Sequence, residues 1–354
     1  MSLRSRKIRI LLLLLAGATT LGFAFRSTRS SWAEVATFED VGGCIEFAPD
    51  SRSFVACTGK YHRELGEWEV STRRRTLTHR SDAWIKRYDR DGLLAITRSK
   101  GTIEIWNETS GKCLATFDSQ FDKKAGGIAA IEVNPDRSTL IIAYEYGMLR
   151  IIPFQAQDTA RTIETDHLYV DCMALSHDGE LLAIGGRMKS GKRGIRLFEL
   201  PDGRLRTTVQ MRRDPNCLSF SADNRVLAAG YGGLRYTFLG GILHPVGSPD
   251  SCFGRVLLCD AKTGQKLVTL GDQQHWVNCI AFSPDGRMLA SGGSGGPAPE
   301  PHLVMVWNTS TSKKIATMSG HIGDIQAVRF SPDGELLATQ DGDRTKFWKV
   351  PSTE

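Results

Sequence analysis

Few side chains in this chain of 354 residues are spaced for chemistry. His321 with Asp341 or Asp343 could form a proton relay, but no nucleophile accompanies them. Carboxylates in a turn are also favoured for their own backbone hydrogen bonds. The glycines between Gly292 and Gly296 match a phosphate-cradling loop in composition alone, since no Lys-Ser or Lys-Thr follows. There is no Cys-x-x-Cys or His-x-x-x-His spacing to suggest zinc. Catalytic residues, cofactor and metal are therefore not expected. Recognition is better served. Arg187, Lys189, Lys192 and Arg193 share one short loop, suited to an acidic partner or lipid headgroups, or simply solvated. Tyr231, Arg235, Tyr236 and Phe238 lie in one long insertion, and Trp276 follows His275. Such aromatics either anchor a partner or pack the insertion onto the body.

The elements that must position these residues are repeated. Turns carrying an Asp recur at Asp50, Asp91, Asp136, Asp178, Asp223, Asp285 and Asp333, at successive intervals of 41, 45, 42, 45, 62 and 48 residues. Six residues before each Asp lie Cys44, Ile85, Ala130, Cys172, Cys217, Cys279 and Ala327, mostly small and apolar. A third position in step holds Trp68, Trp106, Ile152, Phe198, Cys259, Trp307 and Trp348. Runs such as 279–282 and 303–307 are apolar at successive positions, so a strand made from them must be covered on both faces.

The clearest unit is 320–348: Gly320-His321, an apolar run from Ile325 to Phe330, the turn Ser331-Pro332-Asp333-Gly334, a second run from Leu336 to Thr339, and Trp348. This order resembles the WD40 repeat, and the likeness extends over nearly all of the chain after its leader. It implies an all-β fold, a seven-bladed propeller in one domain at residues 34–354. It also implies that His321, Thr339, Asp343 and Trp348 form a hydrogen-bonded chain stiffening blade 7, although the Asp-to-Trp spacing is one residue short. Lys100 stands where the family has a turn Asp, so blade 2 departs from the pattern. The family resemblance implies a non-enzymatic, monomeric platform that binds protein partners on one face or in the central funnel. The alternative is a propeller enzyme of hydrolase, lyase or lactonase type. That would need His or carboxylates converging from the inner strands, which read as mostly apolar or small.

Glu34 to Phe38 copies the outer-strand pattern of 113–117, 266–270 and 314–318, while the last unit lacks an outer strand of its own. The N-terminal segment is therefore expected to pair beside the strand ending at Trp348 and close the ring. Strands alternate in direction within a blade. The long loops of blades 1, 4, 5 and 6 should thus gather on one face with the inter-blade connections, including Trp276 and Arg212-Arg213, with the Asp turns on the other face. The 62-residue interval in blade 5 marks an insertion rich in Tyr, Phe and Leu, expected to be an ordered loop.

Residues 1–33 have the anatomy of an export leader: Arg4, Arg6, Lys7 and Arg9, then an uncharged run from Ile10 to Phe25. Ala16-Gly17-Ala18 offers a cleavage site and Ser31-Trp32-Ala33 a poorer one; an uncleaved leader would anchor the protein to a membrane through residues 10–25. An exported location is expected. The net charge of +6 is matched by the six cations of the leader, so the body is near neutral and gives no case for nucleic-acid binding. Of eight cysteines, Cys44 and Cys57 flank the first turn and are the pair expected to face each other across a hairpin.

Overall fold

The computed structural model describes residues 32–58, 64–80, 84–88, 93–97, 102–107, 112–118, 123–232, 235–239, 242–246, 254–271, 276–294 and 302–351. The chain divides into residues 1–31 and a second unit from Trp32 onward, and all the described residues belong to the second. The predicted leader and most of its cleavage sites lie outside the described residues, as do the side chains of Cys44 and Cys57.

Among the described residues there are seven four-stranded antiparallel sheets and one two-stranded ribbon. Blades 1 to 6 occupy residues 41–80, 84–118, 128–164, 167–211, 215–270 and 276–321. Blade 7 combines Ala327–Phe330, Leu336–Gln340 and Arg344–Lys349 with Ala33–Glu39 as its outer strand. The first strand of each blade touches the first strand of the next, and that of blade 7 touches that of blade 1, so the ring is closed.

Local sequence explains the blade. In blades 4 to 7 the Ser two residues before the turn Asp donates to that Asp and accepts the N–H that opens the second strand; Ser283 Oγ lies 2.6 Å from Asp285 Oδ1 and 2.9 Å from Met288 N. The residue after the Asp is left-handed, and Gly286 there has φ of 71°. The second and third strands align so that Phe54, Leu94, Leu140, Leu182, Leu227, Leu289 and Leu337 face Trp68, Trp106, Ile152, Phe198, Cys259, Trp307 and Trp348. The third repeated position of the sequence is thus one place in every blade. Burial on both faces follows: Ile141 and Ile142, adjacent in a strand and pointing opposite ways, are both fully buried.

Each blade is also fastened to the next. The first strands carry a β-bulge near their start, and the carbonyls there receive donors from the preceding blade. Cys172, Cys217 and Cys279 point their thiols at Pro215 O, Val277 O and Ile325 O, at 3.4, 3.7 and 3.7 Å. Burial pushes all three thiols up, Cys279 to about 12. These cysteines are small buried donors between blades, not nucleophiles.

The N-terminal strand closes the ring as expected, running antiparallel to Arg344–Lys349 with Ala33 opposite Lys349 and Glu39 opposite Arg344. Val35 occupies a bulge between the paired Glu34 and Ala36, and is exposed. Phe38 packs edge-on against Phe54 of blade 1 and Phe347 of blade 7, with centroids 5.0 and 5.5 Å away, so one ring seals the seam. The blade 5 insertion is not a structureless loop. It carries a hairpin, Arg235–Leu239 paired in register with Ile242–Val246. Gly240-Gly241 between two apolar runs is a hairpin signal that an expectation of a single long loop overlooked.

Candidate functional site

The face of the disc that carries the blade connections is built as the topology requires. The loop between strands two and three of blade 3 bonds to the connections on either side, with Tyr146 N to Ala125 O, Val170 N to Glu145 O and Thr165 N to Gly147 O. The Asp turns lie at the opposite ends of the same strands.

On this decorated face the cationic loop of blade 4 is tied down. Arg187 Nη2 and Arg193 Nε lie 3.3 and 3.1 Å from Asp214 Oδ2, in the connection to blade 5. Lys189 pairs with Glu164, and Lys189 N donates to Asp166 O. Lys192 is exposed at the loop's end. Partial burial, then the Asp214 carboxylate, push Asp171 up to about 6, while Arg187 pulls it down. Three of the four cations named from sequence are thus engaged by carboxylates of the same chain, which makes the loop rigid and reduces its free charge.

The aromatic candidates divide. Trp276 opens the first strand of blade 6 and is 41% exposed on this face. Tyr231 is half-buried against the core between blades 4 and 5, its hydroxyl bonded to Thr269, so it packs the disc. Arg235, Tyr236 and Phe238 lie on the first strand of the hairpin, in register with Val246, Pro245 and Leu243. Sequence reasoning missed Tyr146, Leu168 and Tyr169, which are 46, 42 and 49% exposed where blades 3 and 4 meet. The two tyrosine rings touch edge-to-face at 5.8 Å. Tyr169 stands nine residues before its turn Asp, as Trp276 does, and that shared offset was the available signal.

In blade 7, His321, Thr339 and Trp348 come together, but the carboxylate is Asp341, not Asp343. Trp348 Nε1 donates to Thr339 Oγ1 at 2.8 Å; His321 Nε2 lies 2.8 Å from that hydroxyl and His321 Nδ1 3.0 Å from Asp341 Oδ2. With the imidazole neutral and its proton on Nδ1, every donor runs one way, from indole to hydroxyl to imidazole to carboxylate. Burial holds His321 below its ordinary value, and Asp341 is held low by His321 and the N–H groups of Asp343 and Arg344. Asp341 begins the turn and caps it, whereas Asp343 supplies its carbonyl to Val41 N of the next blade. The tightened turn, one residue short, moves the carboxylate role back to its start. The chain is sealed from solvent and works as a structural brace.

The ring encloses a cavity of about 550 Å³. The residues four before the turn Asp line it: Glu46, Glu132, Ala174, Ser219, Ala281 and Arg329. The inner strands are therefore not wholly apolar. Arg329 Nε donates to Glu46 Oε2 at 2.7 Å, joining blades 7 and 1 inside the channel. Among the described residues no group of three or more His, Cys, Asp or Glu is placed to hold a metal ion.

Comparison with known proteins agrees with this geometry. Residues 264–296 and 312–349 match the model of the WD domain, G-beta repeat. Each stretch begins in the turn just before one blade's outer strand and runs into the next blade, and the first ends two residues past the second strand of blade 6. The human WD repeat-containing protein 3 is 25% identical over 160 residues, an alignment covering 42% of this chain and 16% of that protein. Repeats of this kind generally bind protein partners and are generally not catalytic.

Proposed function

We propose that this chain, which carries WD40 repeats in a closed seven-bladed ring, is a non-enzymatic platform that binds protein partners on its decorated face. The observation that carries the reading is the uneven distribution of large exposed side chains. Among the described residues Tyr146, Leu168, Tyr169, Trp276 and Ile322 lie at that face, in loops or at the start of first strands, while the other large exposed apolar residues, Val35, Leu114, Leu205, Leu267 and Ile315, are spread singly over the outer strands and none lies in the Asp turns. On the other face the turns are short and bonded to one another, as in His177 N to Asn224 Oδ1 at 2.7 Å and Asp333 N to Ser51 Oγ at 3.0 Å. Aromatic and aliphatic groups left half in water next to rigid backbone are the usual anchors of an interface. The leader further supports an exported platform.

Hydrogen–deuterium exchange on the protein with a captured partner tests the face. Backbone protection is expected in 145–147 and 165–170, with the turns at 221–225, 283–287 and 331–335 unchanged. Protection confined to those turns would overturn the assignment.

A further inference from the structure

We propose that the junction of blades 3 and 4 is a docking site for an acidic peptide segment of a protein partner. In it, Tyr146, Leu168 and Tyr169 receive apolar side chains, and Lys192 and Arg212 receive carboxylates. The proposal rests on the decorated face being the binding face and names the place on it and the chemistry of what binds.

The apolar half of the site comes from two elements that only the ring brings together. Tyr146 sits in the loop between strands two and three of blade 3, and Leu168 and Tyr169 begin the first strand of blade 4. Glu145 O accepts from Val170 N at 2.9 Å and Glu145 Oε2 accepts from Gly127 N at 3.0 Å, so the loop is held at both sides. The edge-to-face contact props the two rings against each other, and both hydroxyls stay available. Among the described residues neither hydroxyl has a hydrogen-bond partner. A peptide backbone laid across them would find two donors beside an apolar floor.

The charged half adjoins it directly. Tyr169 is registered opposite Arg187, the first residue of the cationic loop, and Lys189 N is bonded to Asp166 O in the segment leading to Leu168. Around the junction the seven cations Arg187, Lys189, Lys192, Arg193, Arg196, Arg212 and Arg213 outnumber the five carboxylates Glu145, Glu164, Asp166, Asp171 and Asp214, of which Asp166 is paired with Arg196 and Glu145 is bonded to Gly127 N. Asp214 grips both ends of the loop, so the loop is ordered before a partner arrives and little ordering cost is left for binding. With the pairs to Asp214 and Glu164 made, Lys192 and Arg212 are left exposed as the outward charges. Complementarity then selects a partner segment that is acidic with interspersed apolar residues. A membrane surface is the contrary outcome, which the vesicle arm of the test distinguishes.

The test uses the folded protein on an array of short peptides in which Asp or Glu alternate with Leu, Phe or Tyr, with Lys-for-acid counterparts and anionic lipid vesicles alongside. Saturable binding to acidic peptides alone is expected, weaker as salt approaches about 0.5 M. Tyr146→Ala with Tyr169→Ala, and separately Lys192→Glu with Arg212→Glu, should each weaken it by about tenfold or more at an unchanged melting temperature. Absence of acidic-peptide binding, equal binding to the Lys counterparts, or preference for vesicles would overturn the proposal. Binding that survives both double variants but falls with Trp276→Ala would also overturn it, while leaving the decorated face as the binding face.

Discussion

His167 begins the first strand of blade 4 and His321 ends the outer strand of blade 6, eleven and twelve residues before the next turn Asp, and their surroundings differ by one hydroxyl. Two residues after the Leu that faces the third-strand aromatic, blade 7 has Thr339 and blade 6 has Ser291, each bonded to an indole N–H; blade 4 has Ile184 and Phe198. His167 Nδ1 reaches Thr165 Oγ1 at 3.0 Å, but its buried Nε2 has no partner. Burial, then the Arg196 guanidinium, pull His167 down to about 4. The neutral imidazole therefore stabilises the fold above the ordinary histidine value near 6.5, and this is lost as pH falls toward 4, a change of about 3 kcal/mol. Guanidinium midpoints measured from pH 7 to 4 should show the wild type losing that much more than His167→Gln; parallel pH profiles would refute it. Such a position is visible in the sequence as a His without its hydroxyl, but the missing partner is seen only in the packed blade.

At the scale of the element, the strand Ala33–Glu39 is held by more than its ladder. Lys346 Nζ lies 2.8 Å from Glu34 Oε2, and Arg344 Nε lies 2.7 Å from Glu39 Oε2. Lys346 is buried, and against the upward push of Glu34's own burial its hydrogen bond holds the Glu34 carboxyl low. Phe38 adds the largest apolar contribution by filling the seam between blades 7 and 1. Truncating such a ring to Ala typically costs about 3–5 kcal/mol. Phe38→Ala is expected to fall in that range in chemical denaturation, and a loss below about 1 kcal/mol would mean that the seam is sealed by other groups. The pairing of this strand with the C-terminus was legible from its repeated pattern. The bulge at Val35 was not, because a bulge depends on how two strands register.

On the scale of the whole molecule, closure seats Ala33–Glu39 beside Arg344–Lys349 and bears on which of the two expected cleavage sites the fold tolerates. Trp32 is buried in the core that contains Trp348 and Val350. Cleavage after Ala33 would remove that indole from the seam, whereas cleavage after Ala18 leaves it in place. N-terminal sequencing of exported protein is expected to give a start before Trp32, and a mature chain starting at Glu34 would contradict the proposed processing. The same closure explains why one compact unit holds so many residues: each sheet is apolar on both faces, and only a ring gives every sheet two neighbours.

The sequence by itself determined the number and order of the blades, six of the seven Asp turns, the one at Asp91 lying outside the described residues, and the origin of the closing strand. These features rest on spacing and turn chemistry among residues near one another in the chain. Tertiary structure alone decided which distant side chains meet. It placed Glu46 on Arg329, Asp214 between Arg187 and Arg193, Tyr146 against Tyr169, and Asp341 where Asp343 was expected. Each of these contacts depends on a bulge, a shortened turn or the packing of one blade on the next, and a local pattern carries no record of those.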